Sequence, residues 1–175
     1  MKRHFSSRFK RSPTRTVKLV CFECAGEYYG LDISKVEHIL PDFKLHGCLD
    51  SGRSLVKYKG HAIAVLDLTQ FFMNPQEAMA TQGFRQSQYL IICTLNSHSK
   101  QENQLRGDRG DRFGIPIMEM PTILEVPETQ LEDLPELYQH GPPGSQPAPK
   151  AIEKLIHTAD DKTIFYLNLE TLIHS

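Results

Sequence analysis

The longest uninterrupted apolar runs in the sequence, Ala62–Leu66 and Tyr89–Cys93, are five residues each. A membrane-spanning helix needs about 20, and a core helix needs an apolar stripe sustained over ten or more residues. Runs this short, closed off by turn residues, are the signature of strands. Tyr29, Leu31 and Ile33 alternate with Gly30, Asp32 and Ser34, the period of a half-buried strand. Val17–Glu23, Val36–Leu40, Gln88–Leu95, Phe113–Ile117, Ile123–Val126 and Ile164–Leu169 read as further strands. Ser54–Tyr58 and His61–Leu66 flank Lys59-Gly60, a hairpin turn that glycine makes accessible through positive φ. Helix signals are few. Asp67 is placed to cap a short helix through Phe72, with Gln70 in the capping-box position, and Leu169–Ile173 starts another. The pattern predicts an all-β protein, sandwich or small barrels. Pro116 and Pro121 belong at sheet edges or bulges, since each lacks a ladder donor.

The polar stretches Asn96–Arg112 and His140–Pro149 read as exposed loops. With 175 residues the chain suits one domain, or two small ones packed closely. The net charge of -1 conceals an asymmetry. Lys2, Arg3, Arg8, Lys10, Arg11, Arg15 and Lys18 give the first 18 residues +7, leaving 13 basic and 21 acidic residues, or -8, for the rest. Residues 1–16 are expected to form a disordered basic tail, and 17–175 the folded domain. The tail has no apolar segment behind its charge, so a secretory signal is not expected. A cytoplasmic protein without membrane insertion is.

Motifs for chemistry are sparse. Cys21-Phe-Glu-Cys24 has the spacing of a metal or redox pair, but residues three apart on a strand face opposite sides. Cys48 and Cys93 are isolated, and His46-Gly-Cys48 could clip a metal only with ligands supplied from elsewhere. No HExxH, GxSxG, GxxxxGK[ST] or GxGxxG is present. Arg106-Gly-Asp108 and Arg109-Gly-Asp111 fall in the long polar loop and read as solvated loop residues. Neither catalysis nor a metal or cofactor is expected. A small barrel binding single-stranded nucleic acid through the basic arm is the alternative to a protein-binding role.

The order of the segments carries more information than any one of them. FECAGEYYGLDISKVEHIL at Phe22–Leu40 resembles the opening of CheW-like domains, and SLVKYKGHAIAVLDL at Ser54–Leu68 resembles their GVINLRG segment and the strand after it. FGIPIMEMPTILEVPETQLEDLP at Phe113–Pro135 is similar to the family's Phe-Gly-Leu-hydrophobic-Val-Asp run, and YLNLETLI at Tyr166–Ile173 to its last strand and helix. The resemblance implies two small five-stranded β-barrels packed together, with short helices including one at the C-terminus. It implies a non-enzymatic adaptor of chemotaxis or motility signalling, at a receptor array on the inner membrane. The partners implied are the regulatory domain of a CheA-type histidine kinase and the cytoplasmic tip of a methyl-accepting chemoreceptor, with no nucleic acid. By position, Lys57, Tyr58, Lys59 and Gly60 would face the kinase, and Val36, Ile39 and Leu40 the receptor. The sequence departs from the family at Lys57 and Lys59, for Asn and Arg, at His38, for Glu, at Ala64, for Pro, and at Met118, for Asp. A specialised member is expected, of the kind serving pilus motility or phototaxis.

Overall fold

A computed structural model describes residues 15–48, 54–72, 87–95, 111–136 and 150–174. The basic tail up to Thr14, the loop segments 96–110 and 140–149, and the first RGD tripeptide lie outside them. Among the described residues twelve strands appear in chain order. They are β1 (Thr16–Cys24), β2 (Glu27–Asp32), β3 (Val36–Pro41), β4 (Leu45–Cys48), β5 (Ser54–Tyr58), β6 (His61–Val65), β7 (Tyr89–Leu95), β8 (Asp111–Ile117), β9 (Thr122–Pro127), β10 (Leu131–Asp133), β11 (Ile152–His157) and β12 (Thr163–Leu167). Among the described residues two short α-helices, α1 (Thr69–Phe72) and α2 (Leu169–His174), follow β6 and β12.

The strands form two six-stranded mixed sheets, ordered β10-β11-β12-β2-β1-β9 and β3-β7-β8-β6-β5-β4. Each has one parallel pair, β12 with β2 and β6 with β8, among antiparallel ones. The all-β expectation and the C-terminal helix hold. Five-stranded barrels are not what the ladders draw, because among the described residues each sheet keeps two unpaired ends.

The side chains divide into three cores. The largest lies between the sheets and joins Val20, Phe22, Tyr29 and Leu31 of the first to Ile91, Cys93, Phe113, Ile115 and Ile117 of the second, closed by Leu169 and Leu172. A second core holds Val56, Tyr58, Ile63, Val65, Leu90 and Ile92, all from one sheet. The third holds Leu19, Cys21, Val126, Ile156 and Ile164, all from the other. A face buried by strands of its own sheet requires that sheet to curl over itself. The strands β1 and β7 are therefore buried on both faces, which explains their continuous apolar runs.

Local chemistry sets the boundaries. Asp67 Oδ1 accepts from the Thr69 backbone N–H at 3.0 Å and caps α1, and Asn168 Oδ1 accepts from Glu170 and Thr171 to cap α2. The side chain of Gln70 lies outside the described atoms. Pro116 sits in β8, an interior strand, contrary to the edge expectation. The pairing with β6 has ended by then, its last partners being Val65 and Gly114, so β8 is locally an edge where the proline falls. β8 also starts at Asp111, two residues inside the stretch read as loop.

Candidate functional site

The β5–β6 connection is a two-residue turn in which both Lys59 (φ 47) and Gly60 (φ 83) adopt positive φ. This is the I′ geometry that matches strand twist. It projects Lys59 outward, with its side chain 66% exposed. Lys57 is exposed as well, whereas Tyr58 is buried in the second sheet's own core. The four residues expected to face a kinase thus split. Lys57, Lys59 and Gly60 are on the surface, and Tyr58 supports them from below, its ring centroid 5.0 Å from Lys59 Nζ.

A carboxylate anchors this turn. In β3 the pairing with β7 steps from Val36 opposite Cys93 to His38 opposite Ile92, so Glu37 is the extra residue of a β-bulge. Its side chain turns toward the hairpin. Glu37 Oε1 accepts from Lys59 Nζ at 2.8 Å and from Tyr58 Oη at 3.4 Å, and Oε2 accepts from Arg112 Nε at 2.5 Å. The hydrogen bond from Lys59, then that from Arg112, pull the Glu37 carboxyl down to about 2, against a lesser opposing effect of burial. His38, standing where the resemblance has glutamate, is exposed.

The residues expected to face a receptor are all half-buried, and they do not share one face. Val36 packs on the core between the sheets, and Ile39 is the cross-strand partner of Ile91 on that same face. Leu40 pairs with Leu90 and packs into the second sheet's own core. The sequence reading missed another feature. The segment from the end of β8 to the start of β9 passes from one sheet to the other and exposes Met118, Met120 and Ile123 at 49%, 60% and 66%. Met118 was legible as a methionine at a position where the resemblance has aspartate. Glu37 and Arg112 gave no such signal, because their meeting across 75 residues depends on sheet order.

Cys21 belongs to the first sheet's own core and Cys24 packs on the core between the sheets, the opposite faces expected of residues three apart. Burial raises their thiols to about 11 and about 12, and that of Cys93 to about 12. No group of three or more His, Cys, Asp or Glu among the described residues could hold a metal ion. Lys18, Lys35, Lys59 and Lys154 each pair with an acidic side chain.

The model of the CheW-like domain matches residues 18–175. The chain belongs to the CheW-like domain family. The CheW-like fold is seen again in the crystal structure of the scaffolding protein TtCheW from Thermoanaerobacter tengcongensis, with a TM-score of 0.64 at 22% identity. The match covers 98% of this chain and 93% of that one. No curated protein matches. As a CheW-like domain, the protein is a non-enzymatic adaptor of chemotaxis-type signal transduction. No helix among the described residues is long and apolar enough to cross a membrane.

Proposed function

We propose that this CheW-like protein couples the cytoplasmic tip of a chemoreceptor to the regulatory domain of a CheA-type kinase, through two separate surfaces. The observation that carries this reading is the pair of unlike exposed features on one adaptor fold. One is a cationic hairpin tip, Lys57 and Lys59 beside Gly60. The other is an apolar segment at the seam between the sheets, with Met118, Met120 and Ile123. An exposed apolar patch on a folded protein marks an interaction surface, and an amphipathic helix laid in an apolar groove is a recurring way to fill one.

The kinase-facing surface comprises Lys57, Lys59 and Gly60, with Tyr58 acting from beneath. The receptor-facing surface comprises Val36, Ile39 and the exposed seam residues, while Leu40 serves as packing. The two curled sheets correspond to the two barrels that the family resemblance implies, and the domain spans 17–175. The protein works in the cytoplasm beside a receptor array. Titration calorimetry tests the kinase half. Lys59→Glu is expected to keep the fold and weaken binding of the cognate kinase's regulatory domain by more than about tenfold, the loss typical of a broken desolvated charge contact. Unchanged affinity in a folded Lys57→Glu/Lys59→Glu variant would sink the docking role of the turn.

A further inference from the structure

Glu37 is bound by two cations, Lys59 of the β5–β6 turn with Nζ at 2.8 Å from Oε1 and Arg112 of β8 with Nε at 2.5 Å from Oε2. The two are not equivalent. Arg112 is 29% exposed and Lys59 66% exposed, while the carboxylate between them is only 20% exposed. A carboxylate so enclosed is costly to strip of its only counter-charge, because it would stay partly desolvated and unpaired. With Arg112 in place, that cost does not arise when Lys59 leaves. An exposed lysine–glutamate pair is itself weak. The exposed Lys57 sits beside Lys59 on the same hairpin and adds a second cation to its tip.

We propose that Arg112 is a positioning residue that neutralises Glu37 permanently, so that Lys59 is free to exchange Glu37 for a carboxylate on an acidic docking segment of the partner. This rests on the docking role of the β5–β6 turn. Arg112 itself touches no partner in this arrangement. It sets how readily Lys59 is released, and so selects partners that present an acidic side chain to the hairpin tip.

Two measurements test it. The first needs no partner. In Lys59→Gln, the Glu37 carboxyl followed by NMR titration is expected to stay well below the ordinary glutamate range, and in Lys59→Gln/Arg112→Gln to return to that range or above. An ordinary Glu37 in Lys59→Gln alone overturns the proposal. The second measures binding of the cognate CheA-type regulatory domain. Arg112→Gln is expected to weaken it about tenfold, because Lys59 is then the only charge Glu37 has. Glu37→Gln/Arg112→Gln is expected to restore affinity to within about threefold, because nothing charged then holds Lys59 back. A purely structural role for Arg112 predicts a deeper loss in the double variant, and that result, or no loss in the single one, overturns the proposal. If the unaltered protein does not bind the domain at all, the functional reading fails, and the titration still decides this inference.

Discussion

Val20 and Ile123 are direct cross-strand partners on the same face of β1 and β9, yet Val20 is 2% exposed and Ile123 66% exposed. The core between the sheets therefore ends within one strand spacing, about 4.8 Å, and Ile123 overhangs its rim. Truncating a side chain so exposed removes little buried area. Ile123→Ala is expected to change stability by less than about 0.5 kcal/mol, and Val20→Ala to cost about 1–3 kcal/mol. Ile123→Asp should abolish binding of a receptor-tip peptide while the thermal midpoint holds. An Ile123→Asp protein that binds normally would remove the seam from the docking surface.

Gly114 lies against Leu90, and a Cβ built on it would sit 2.8 Å from Leu90 Cδ1 and 2.9 Å from Cγ. Leu90 is fully buried in the second sheet's own core and has nowhere to retreat. Gly114→Ala is expected to cost about 1–3 kcal/mol by overpacking, read as a lower midpoint in urea with an unchanged slope. Combined with Leu90→Ala, itself a costly core truncation, the two losses should be less than additive, and full additivity in a double-mutant cycle would show that contact with Leu90 is not the cause.

Acid stability should depend on Glu37. Its carboxyl is held at about 2, below its ordinary value, by the hydrogen bonds from Lys59 and Arg112. A group depressed in the folded state contributes stability that is complete above its unfolded value, about 4.3, and is lost as pH falls toward 2. Glu37→Gln should flatten the stability profile between those values and leave its shape above pH 5 unchanged. An equally steep profile in that variant would assign the acid loss to other carboxylates.

Thiol reagents distinguish the cores from the surface. Cys21, Cys24 and Cys93 are raised to about 11, 12 and 12 by burial, so almost no thiolate is present at pH 8. In the folded protein, labelling followed by mass spectrometry should leave these three unmodified, and unfolding should expose all of them at once. Fast labelling of Cys24 in the native state would contradict its packing on the core between the sheets.

The boundary of the tail can be set to a residue. Arg15 C=O accepts from Glu128 N–H at 2.9 Å, and Thr16 Oγ1 donates to Glu125 at 2.7 Å. Removal of residues 1–14, which have no apolar periodicity and only like charges, is expected to leave the thermal midpoint within a few degrees, about the width of a 0.5 kcal/mol change. Removing 1–16 takes away both contacts and should lower it measurably.

The strands that alternate or run continuously apolar were legible in the sequence, and so were the Lys59-Gly60 turn and the opposed cysteines, because each depends on neighbours along the chain. Three strands were not. Leu45–Cys48, Leu131–Asp133 and Ile152–His157 are short or polar on one face, and their pairing, whether with the next strand or with one more remote, leaves no apolar period to read. The site divided in the same way. Lys59 was found from its turn, whereas Glu37 became visible only through the bulge that turns it toward Lys59, and Arg112 through strand order. Leu40 was drawn into the receptor group by its position in the segment that resembles the family, and only the pairing with Leu90 shows that it belongs to another core.

Because Leu19–Phe22 of β1 and Leu90–Cys93 of β7 are buried on both faces, neither stretch offers room to evolve a new contact. A copy of this gene adapting to a different signalling pathway would have to change its edges, hairpin tips and crossings, and leave those two stretches alone. The fold thus separates the residues that a lineage can spend on novelty from those it must keep for shape, and the seam segment 118–123 and the turn at 59–60 fall on the free side of that line.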